Sequence, residues 1–144
     1  MTFTNKELTF NVDFTTQYSI MENLFIKASD KTPAIEFNVS GELRISGRSI
    51  PENSYEFYQP VISWLENFKK ANVKSAVLHV NLEYFNTSSS KVLLSVFRNL
   101  EHLRELGVDT NVYWYHSEDD EDITEAGKGY QCLVKIPFRF VELA

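Results

Sequence analysis

Apolar and polar residues alternate in two adjacent stretches in the first third of the chain. Residues 33–39 place Ile35, Phe37 and Val39 on one face, and residues 42–47 alternate in the same way. Alternation of this kind is typical of a half-buried β-strand. A Ser-Gly dipeptide between the two stretches supplies a turn, so together they predict a β-hairpin.

A first amphipathic helix is predicted directly after the hairpin. Residues 51–54 contain the helix-start residues Asn53 and Ser54, either of which can act as the N-cap. Apolar residues then recur at helical spacing as far as residue 68. Pro60 lies inside this pattern, so we expect it to kink the helix or to mark where the regular part begins.

Two further helices follow later in the chain. The apolar positions after residues 86–90 have helical spacing and end at Gly107, a residue suited to terminate a helix. Residues 118–130 are acidic at first and gain helical character towards their end. The chain therefore carries about three predicted helices.

Three more strands alternate with these helices. The first half of residues 75–85 is almost continuously apolar, which predicts a central strand covered on both faces. Residues 109–115 predict another strand, and residues 134–141 predict a closing strand. Pro137 places this last strand near an edge, because proline cannot donate a ladder hydrogen bond.

The order of elements predicts an α/β (α+β) sandwich with one mixed sheet. Strands separated by helices favour right-handed crossovers and parallel pairing, whereas the hairpin adds antiparallel pairing. We expect residues 21–144 to form a single domain, as the length of 144 residues suggests. Residues 1–20 are expected to be an extension, with a weak strand or a loose arm in residues 3–14.

The composition of the chain disfavours some classes of binding partner and indicates its cellular compartment. The formal net charge of −6 disfavours binding to nucleic acid or to an anionic membrane. No apolar run approaches a membrane span, and the N-terminal residues lack the pattern of a signal peptide. The single cysteine, Cys132, excludes intrachain disulfides and is expected to be buried beside apolar neighbours. We therefore expect a cytoplasmic protein.

Catalytic and metal-binding motifs are missing from the sequence. The five glycines match no phosphate-binding loop, and His79, His102 and His116 lie far apart on different predicted elements. We therefore predict no catalytic residue, no metal and no cofactor.

Large aromatic residues leave one alternative open. Consecutive side chains in a strand point to opposite faces, so Tyr113, Trp114 and Tyr115 require two covered faces or one exposed aromatic set. The alternative function is a small ligand-binding or enzymatic domain that uses the aromatic region near Trp114 and His116.

Hydroxyl residues are concentrated where a buried strand gives way to a helix. Residues 86–90 read Asn-Thr-Ser-Ser-Ser. Free backbone N–H groups and the positive end of the helix dipole make this place ready for an anion. Four hydroxyls exceed what a cap needs, since one side chain suffices. The stretch is either an ordinary N-cap or a phosphorylation site, where a phosphate adds a charge of about −1.5 to −2.

An acidic run follows the aromatic strand. Residues 117–127 hold six carboxylates and no basic side chain, so they account for the whole net charge of −6. The run lacks the glycine of a calcium-binding EF-hand loop. A solvated loop or a helix N-terminus is the expected role, and the functional alternative is a docking surface for a basic partner.

Four motifs resemble a known family. They lie in residues 47–54, 56–65, 82–91 and 113–122, and they look like motifs of the SiaC family of bacterial regulatory phosphoproteins. The resemblance extends from Thr32 to Val141 and does not include residues 1–20. It implies a fold similar to that of STAS domains, the anti-sigma factor antagonists, in agreement with the order of elements.

The resemblance also implies a function. It suggests a non-enzymatic partner switch in cyclic di-GMP signalling, phosphorylated by a Ser/Thr kinase and dephosphorylated by a phosphatase. The unphosphorylated form would bind and activate a diguanylate cyclase. The phosphorylated threonine of the family maps onto Thr87, with Ser88 as the second choice. A purely structural interaction module without phosphorylation remains a further possibility. The residues that we expect to contact a partner are Asn86, Ser88, Ser89, Lys91, Glu118, Asp119 and Asp120.

Overall fold

The computed structural model describes residues 21–144. The predicted mixed α/β fold with three helices is confirmed. The predictions for residues 1–20, including the weak strand or arm in residues 3–14, lie outside the described residues. The described elements are β1 (Leu24–Ile26), β2 (Ala34–Phe37), β3 (Glu42–Ser49), α1 (Ser54–Phe68), β4 (Ser75–Phe85), α2 (Thr87–Glu105), β5 (Asp109–Ser117), α3 (Glu121–Leu133) and β6 (Phe138–Leu143).

All six described strands form one sheet in the order in which they occur along the chain. β1 pairs with β2 and β2 with β3 in antiparallel fashion, whereas β3 to β6 pair in parallel. The predicted hairpin and the predicted parallel section are both confirmed. β1 was not predicted, because three residues are too few to establish an alternating pattern.

The three helices connect successive parallel strands, and each crossover advances in the same direction across the sheet. Right-handed crossovers of this kind place all three helices on one face. The buried core lies between this face and the helices. We call the opposite face the open face, because none of the described helices covers it.

Within residues 21–144, helices cover only one face of β4, whereas the sequence predicted cover on both faces. Its side chains alternate between buried and half-buried along most of the strand. Apolar Val77 lies on the open face beside the core residues Ala76 and Leu78, which makes the run look continuously apolar in sequence.

A register shift near the end of β4 redirects two aromatic side chains. Gly47 of β3 is opposite Leu82, but the next residue, Arg48, is opposite Tyr84, so β4 contains one extra residue. As a result Tyr84 shares the open face with Arg48. Phe85 turns to the helix side, where its ring lies 6.3 Å from that of Trp114.

The start of α1 follows the sequence prediction, and one of the two roles expected for its proline is excluded. The Asn53 side chain accepts a hydrogen bond from the Glu56 backbone N–H at 3.0 Å and caps the helix. The helix then runs from Ser54 through Pro60 to Phe68. Pro60 therefore does not mark the beginning of the regular part.

The C-terminal elements correct one further expectation. β6 is an edge strand, as Pro137 predicted. Cys132 is exposed rather than buried. The inward positions of α3 are Ile123, Gly127 and Tyr130, and helical spacing places Cys132 on the outer side despite its apolar neighbours. No helix of the described part is long and apolar enough to span a membrane.

Candidate functional site

The predicted site residues gather at one edge of the sheet. β3, β4 and β5 are parallel, and each leads into a helix at its carboxyl end. The segments 49–54, 86–91 and 117–121 therefore lie at the same edge, which is where open α/β sheets usually bind their ligands. The structure thus brings the hydroxyl stretch and the acidic run to a common side of the molecule.

Thr87 is the first residue of α2. Asn86 is the N-cap, and its Oδ1 accepts a hydrogen bond from the Ser89 backbone N–H at 2.9 Å. Thr87 is exposed, and no hydrogen bond of its hydroxyl occurs within the described part of the chain. Its carbonyl oxygen accepts a bond from the Ser90 hydroxyl at 2.8 Å. The cap thus holds the backbone of Thr87 while its side chain faces solvent.

Ser89 lies two residues further on and has 0% exposure. Its hydroxyl donates to the Ser49 carbonyl oxygen at 3.0 Å and accepts from the Ser49 hydroxyl at 2.9 Å. The Ser54 hydroxyl lies 3.1 Å away. Ser89 was expected to contact a partner, and this expectation is corrected here, because its side chain points into the protein and is fully bonded there.

Tyr58 completes this buried arrangement from α1. Its hydroxyl lies 2.7 Å from the Ser49 hydroxyl. Ser49 gives its one hydroxyl hydrogen to Ser89, so Tyr58 must be the donor in this pair. Burial raises the pKa of Tyr58 to about 12, although the bond to Ser49 opposes the shift, so the phenol keeps the proton that it donates.

Ser88 links the buried hydroxyls to the surface. Its hydroxyl lies 2.7 Å from that of Ser54, and it donates to Asn86 Oδ1 at 3.3 Å. We call Ser49, Ser54, Tyr58, Ser88 and Ser89 the hydroxyl cluster. This cluster joins the end of β3 and the first turns of α1 and α2.

The three helix starts differ in charge. The first turn of α1 contains Glu56, and that of α3 contains Glu121 and Asp122, whereas the first turn of α2 has no acidic residue. Carboxylates at an N-terminus offset the positive end of the helix dipole. Among the described helices, α2 therefore has the N-terminus best suited to accept an added negative charge.

The acidic run serves largely as a helix start, as its default interpretation predicted. Asp120 caps α3, and its Oδ1 accepts a hydrogen bond from the Ile123 backbone N–H at 3.0 Å. Glu118 and Asp119 are exposed in the preceding turn. These two carboxylates remain accessible at the sheet edge that also carries Thr87.

A groove between α1 and α2 was not predicted from the sequence. It encloses about 470 Å³, and Tyr55 on its rim is 73% exposed. Its lining residues are Tyr55, Gln59, Ile62, Lys91, Val92, Ser95 and Asn99. Residues 87, 91, 95 and 99 recur every four positions, so Thr87 stands at the end of a stripe that runs along the groove. This four-residue spacing is the signal that sequence analysis could have used.

One polar atom in this groove lacks a partner. The Asn99 side-chain nitrogen donates to the Ser95 carbonyl oxygen at 2.9 Å. Asn99 Oδ1 is buried and has no hydrogen-bond partner within the described residues.

The structure does not support the alternative function, a ligand-binding or enzymatic site near Trp114 and His116. Trp114 is 1% exposed and packs between Phe97 and Tyr130, and its indole N–H donates to the Ile123 carbonyl oxygen at 2.9 Å. It is a core residue and lines no open pocket. His116 lies near the end of β5 with its Nδ1 3.0 Å from the Ser117 carbonyl oxygen. Within residues 21–144, no group of side chains has the arrangement of a metal site.

This fold and its edge site correspond to a class of bacterial regulatory proteins. A family model described as "SiaC family regulatory phosphoprotein" matches residues 26–143. The chain belongs to the SiaC family. The resemblance inferred from the four sequence motifs is thereby confirmed.

Individual relatives agree with this assignment. An uncharacterized protein of Pseudomonas aeruginosa (strain UCBPP-PA14) is 32% identical over 119 residues, which cover 82% of this chain and 94% of that protein. The crystal structure of apo-SiaC from Pseudomonas aeruginosa has 31% identity and a TM-score of 0.77, covering 84% of this chain and 99% of that chain.

A second structure shows a member of the family with a partner. It is the crystal structure of the diguanylate cyclase SiaD in complex with its activator SiaC from Pseudomonas aeruginosa. The present chain is similar to a chain of that structure at 30% identity and a TM-score of 0.79, covering 83% of this chain and 99% of that chain.

Proposed function

We propose that this protein is a non-enzymatic partner switch that binds and activates a diguanylate cyclase when Thr87 is unphosphorylated. A Ser/Thr kinase adds the phosphate to Thr87 and a phosphatase removes it, in the cytoplasm and without a cofactor or a metal held by this chain. The exposed hydroxyl of Thr87 at the first position of α2 is the observation that carries the proposal. The complex of the similar SiaC with SiaD supports the choice of a cyclase as the target.

The hydroxyl cluster explains why Thr87 is chosen over its neighbours. Ser89 is fully buried, so a kinase cannot reach it. Ser88 is exposed but already shares hydrogen bonds with Ser54 and Asn86. Ser90 is half-buried and bonds to the Thr87 carbonyl oxygen. Ser88 is therefore the second candidate, and Thr87 is the hydroxyl that a kinase reaches without breaking a bond.

The fold can tolerate a phosphate at Thr87. The group would lie at the N-terminus of α2, where the dipole favours a negative charge and no carboxylate competes. Lys91 is one helical turn away and exposed, so its ammonium group can pair with the phosphate. The switch then changes the surface of the protein and leaves its fold in place.

Docking of the target is proposed along the α1–α2 groove. The groove offers apolar contacts from Ile62 and Val92. A phosphate at Thr87 would add charge and bulk at one end of the stripe and would draw Lys91 towards itself. The added charge and the displacement of Lys91 would both weaken docking of the target in the groove.

The residues that were expected to contact a partner differ in their exposure. Those at the surface are Ser88, Lys91, Glu118 and Asp119, whereas Asn86 and Asp120 act as helix caps.

The decisive experiment is phosphorylation by the proposed cognate Ser/Thr kinase. The full chain is incubated with the kinase and ATP, and mass spectrometry locates the phosphate. We expect one phosphate on Thr87. The Thr87→Ala variant should remain unmodified, and the Ser88→Ala variant should be modified as the natural chain is.

Two results would overturn the assignment. Phosphate on Ser88 in the natural chain would move the switch to the second candidate. A complete lack of phosphate in residues 86–90, with the kinase shown to be active on another substrate, would remove the basis for a phosphorylation switch.

A further inference from the structure

The open face of the sheet carries a chemical pattern that the proposed switch does not use. The strands β3 to β6 are parallel, and parallel sheets usually have both faces covered. Here Val77, Tyr113 and Tyr115 are only half-buried on the open face. A partner that covers this face would bury them further.

One row of side chains crosses this face from β2 to β6. Strand register places Glu36 beside Arg44, Arg44 beside His79, His79 beside Tyr113, and Tyr113 beside Arg139. His79 is at the centre of the row, and its ring stacks on that of Tyr113 with 5.2 Å between centroids. The row therefore has an acidic end, a basic end and an aromatic centre.

The three charged side chains of this row, which belong to Glu36, Arg44 and Arg139, have no ion-pair partner in residues 21–144. No carboxylate lies within 4.0 Å of the Arg44 or Arg139 guanidinium, and no basic group lies that close to the Glu36 carboxylate. All three side chains are exposed. Their charges are therefore available to a second molecule.

The row is self-complementary under one particular two-fold rotation. If the axis runs parallel to β4 between two facing sheets, β4 lies over β4, β3 over β5 and β2 over β6. Glu36 then faces Arg139 of the second copy, and Arg44 faces Tyr113 of the second copy. These are an ion pair and a cation–π contact, and each occurs twice. His79 faces His79, and neutral rings of this kind can stack.

The side chains of the adjacent row on one side are also complementary under the same two-fold rotation. When the β4–β5 register is continued by one residue, this row contains Ala34, Ser46, Asn81, Tyr115 and Val141. Ala34 would face Val141 of the second copy, and Ser46 would face Tyr115 of the second copy. Apolar groups therefore meet apolar groups, and hydroxyls meet hydroxyls.

The row on the other side agrees as well. Glu42, Val77 and Asn111 are neighbours across β3, β4 and β5. Val77 would face Val77, and the Glu42 carboxylate would face the Asn111 amide of the second copy. By contrast, a two-fold axis perpendicular to the strands would place Glu36 over Glu36 and Arg44 over Arg44. Like charges that meet across an interface are unfavourable, so the axis parallel to β4 is the complementary one.

We propose that the open face is a homodimer interface, with a second copy of this chain as its occupant and the two β4 strands stacked on a common two-fold axis. The five overlapping strands, β2 to β6, with about six residues in each, give a projected area of about 500 Å² per copy. Stable interfaces bury about 800 Å² per partner, so the dimer is expected to be weak and reversible. The open face lies on the side of the sheet opposite the helices, so dimer formation leaves Thr87 and the α1–α2 groove accessible.

A charge exchange tests this interface. Sedimentation equilibrium of the full chain should show a concentration-dependent mass that rises towards twice 16.7 kDa. Glu36→Arg places Arg over Arg139 of the second copy, and Arg139→Glu places Glu over Glu36 of the second copy. Each change should weaken the dimer about tenfold or more, because two ion pairs become repulsive contacts. The double variant restores opposite charges and should restore the dimer.

The test includes a control variant on the helix side of the protein, and three results would overturn the proposed dimer. Glu105→Arg makes the same charge change at the exposed end of α2, on the helix side, and should leave the dimer intact. The proposal is overturned if the full chain stays monomeric at all concentrations or if the double variant fails to recover. It is also overturned if Glu36→Arg leaves the dissociation constant of the dimer unchanged but removal of residues 1–20 abolishes the dimer. The extension would then mediate the pairing. None of these results depends on phosphorylation of Thr87.

Discussion

The hydroxyl oxygens of Ser54 and Ser88 lie 2.7 Å apart and join the first turns of α1 and α2 across 34 residues of sequence. Both helices line the groove that we propose as the docking surface. The hydrogen bond therefore links the two groove walls at the end where Thr87 lies. The groove and the proposed phosphorylation site thus share one contact.

Substitutions at Thr87 should separate binding from folding. Thr87→Ala keeps the neutral surface and should bind the target cyclase constitutively. Thr87→Asp adds a negative charge at the end of the groove stripe and should bind poorly. Isothermal titration calorimetry with the purified cyclase measures both affinities. Equal affinity for the two variants would contradict the proposed mechanism.

The folding control for this comparison is thermal unfolding of both variants. Thr87→Asp places a carboxylate at the N-terminus of α2, where the dipole favours it by about 0.3–1 kcal/mol. Its midpoint should equal or exceed that of Thr87→Ala. A weaker affinity with an intact midpoint then reports on the docking contact alone.

Ser89 and Ser88 should differ in their contribution to stability. Ser89→Ala removes a fully buried hydroxyl and leaves the Ser49 carbonyl oxygen without that donor. The expected loss in the free energy of unfolding is about 1–3 kcal/mol. Ser88→Ala removes an exposed hydroxyl that water can replace, and it should cost less than about 1 kcal/mol. Urea denaturation of the two variants measures the difference, and equal losses would argue against the buried cluster.

Substitutions of two glycines in α3 test how closely this helix packs on the core. A Cβ atom on Gly127 would lie 2.6 Å from the Trp114 ring and 2.8 Å from that of Phe140. Gly127→Ala should therefore destabilise the protein by about 1–3 kcal/mol, because the rings must move.

Gly129 is the control for this change. A Cβ atom there meets nothing within 4 Å. Gly129→Ala should stabilise the protein by about 0.4–1 kcal/mol, because alanine favours the helix more than glycine does. Thermal unfolding of both variants should shift in opposite directions. A shift in the same direction would contradict the close approach of α3 to Trp114.

His79 should make stability depend on pH. Burial lowers its pKa below 6.5, the Arg44 charge lowers it further, and Glu42 partly opposes the shift. The unfolded chain therefore takes up a proton at this residue before the folded chain does. Stability from His79 is complete above pH 6.5 and decreases as the pH falls below that value.

Urea denaturation at about pH 7.5 and pH 5.5 tests this dependence. His79→Gln should show a smaller decrease between the two pH values than the natural chain. His102→Gln removes an exposed imidazole from α2 and serves as the control. An unchanged pH dependence in His79→Gln would show that other groups cause the decrease.

Local features of the site could be predicted from the sequence. The Asn-Thr-Ser-Ser-Ser stretch after an apolar run was sufficient to predict a helix N-terminus in residues 86–90 and a surplus of hydroxyls. Asn53 was one of two candidates predicted in the same way for the N-cap of α1. These predictions depend on neighbours within four residues, and the structure confirms both helix starts, with Asn53 and Asn86 as the caps.

Features that depend on distant residues could not be predicted. Ser89 is buried because Ser49 and Ser54 approach it, and those residues precede it by 40 and 35 positions. No local pattern distinguishes Ser89 from Thr87. The same reason applies to the open face. Val77 is as apolar as its core neighbours, and its position on the open face follows from the common direction of the three crossovers.

The agreement between strand order and chain order has a consequence for synthesis. Each strand from β2 to β6 pairs with the strand that precedes it in sequence. During translation, each new strand that leaves the ribosome finds its pairing edge already exposed on the part made before it. The sheet can therefore grow one strand at a time from β1 to β6, because no pairing has to wait for a later segment.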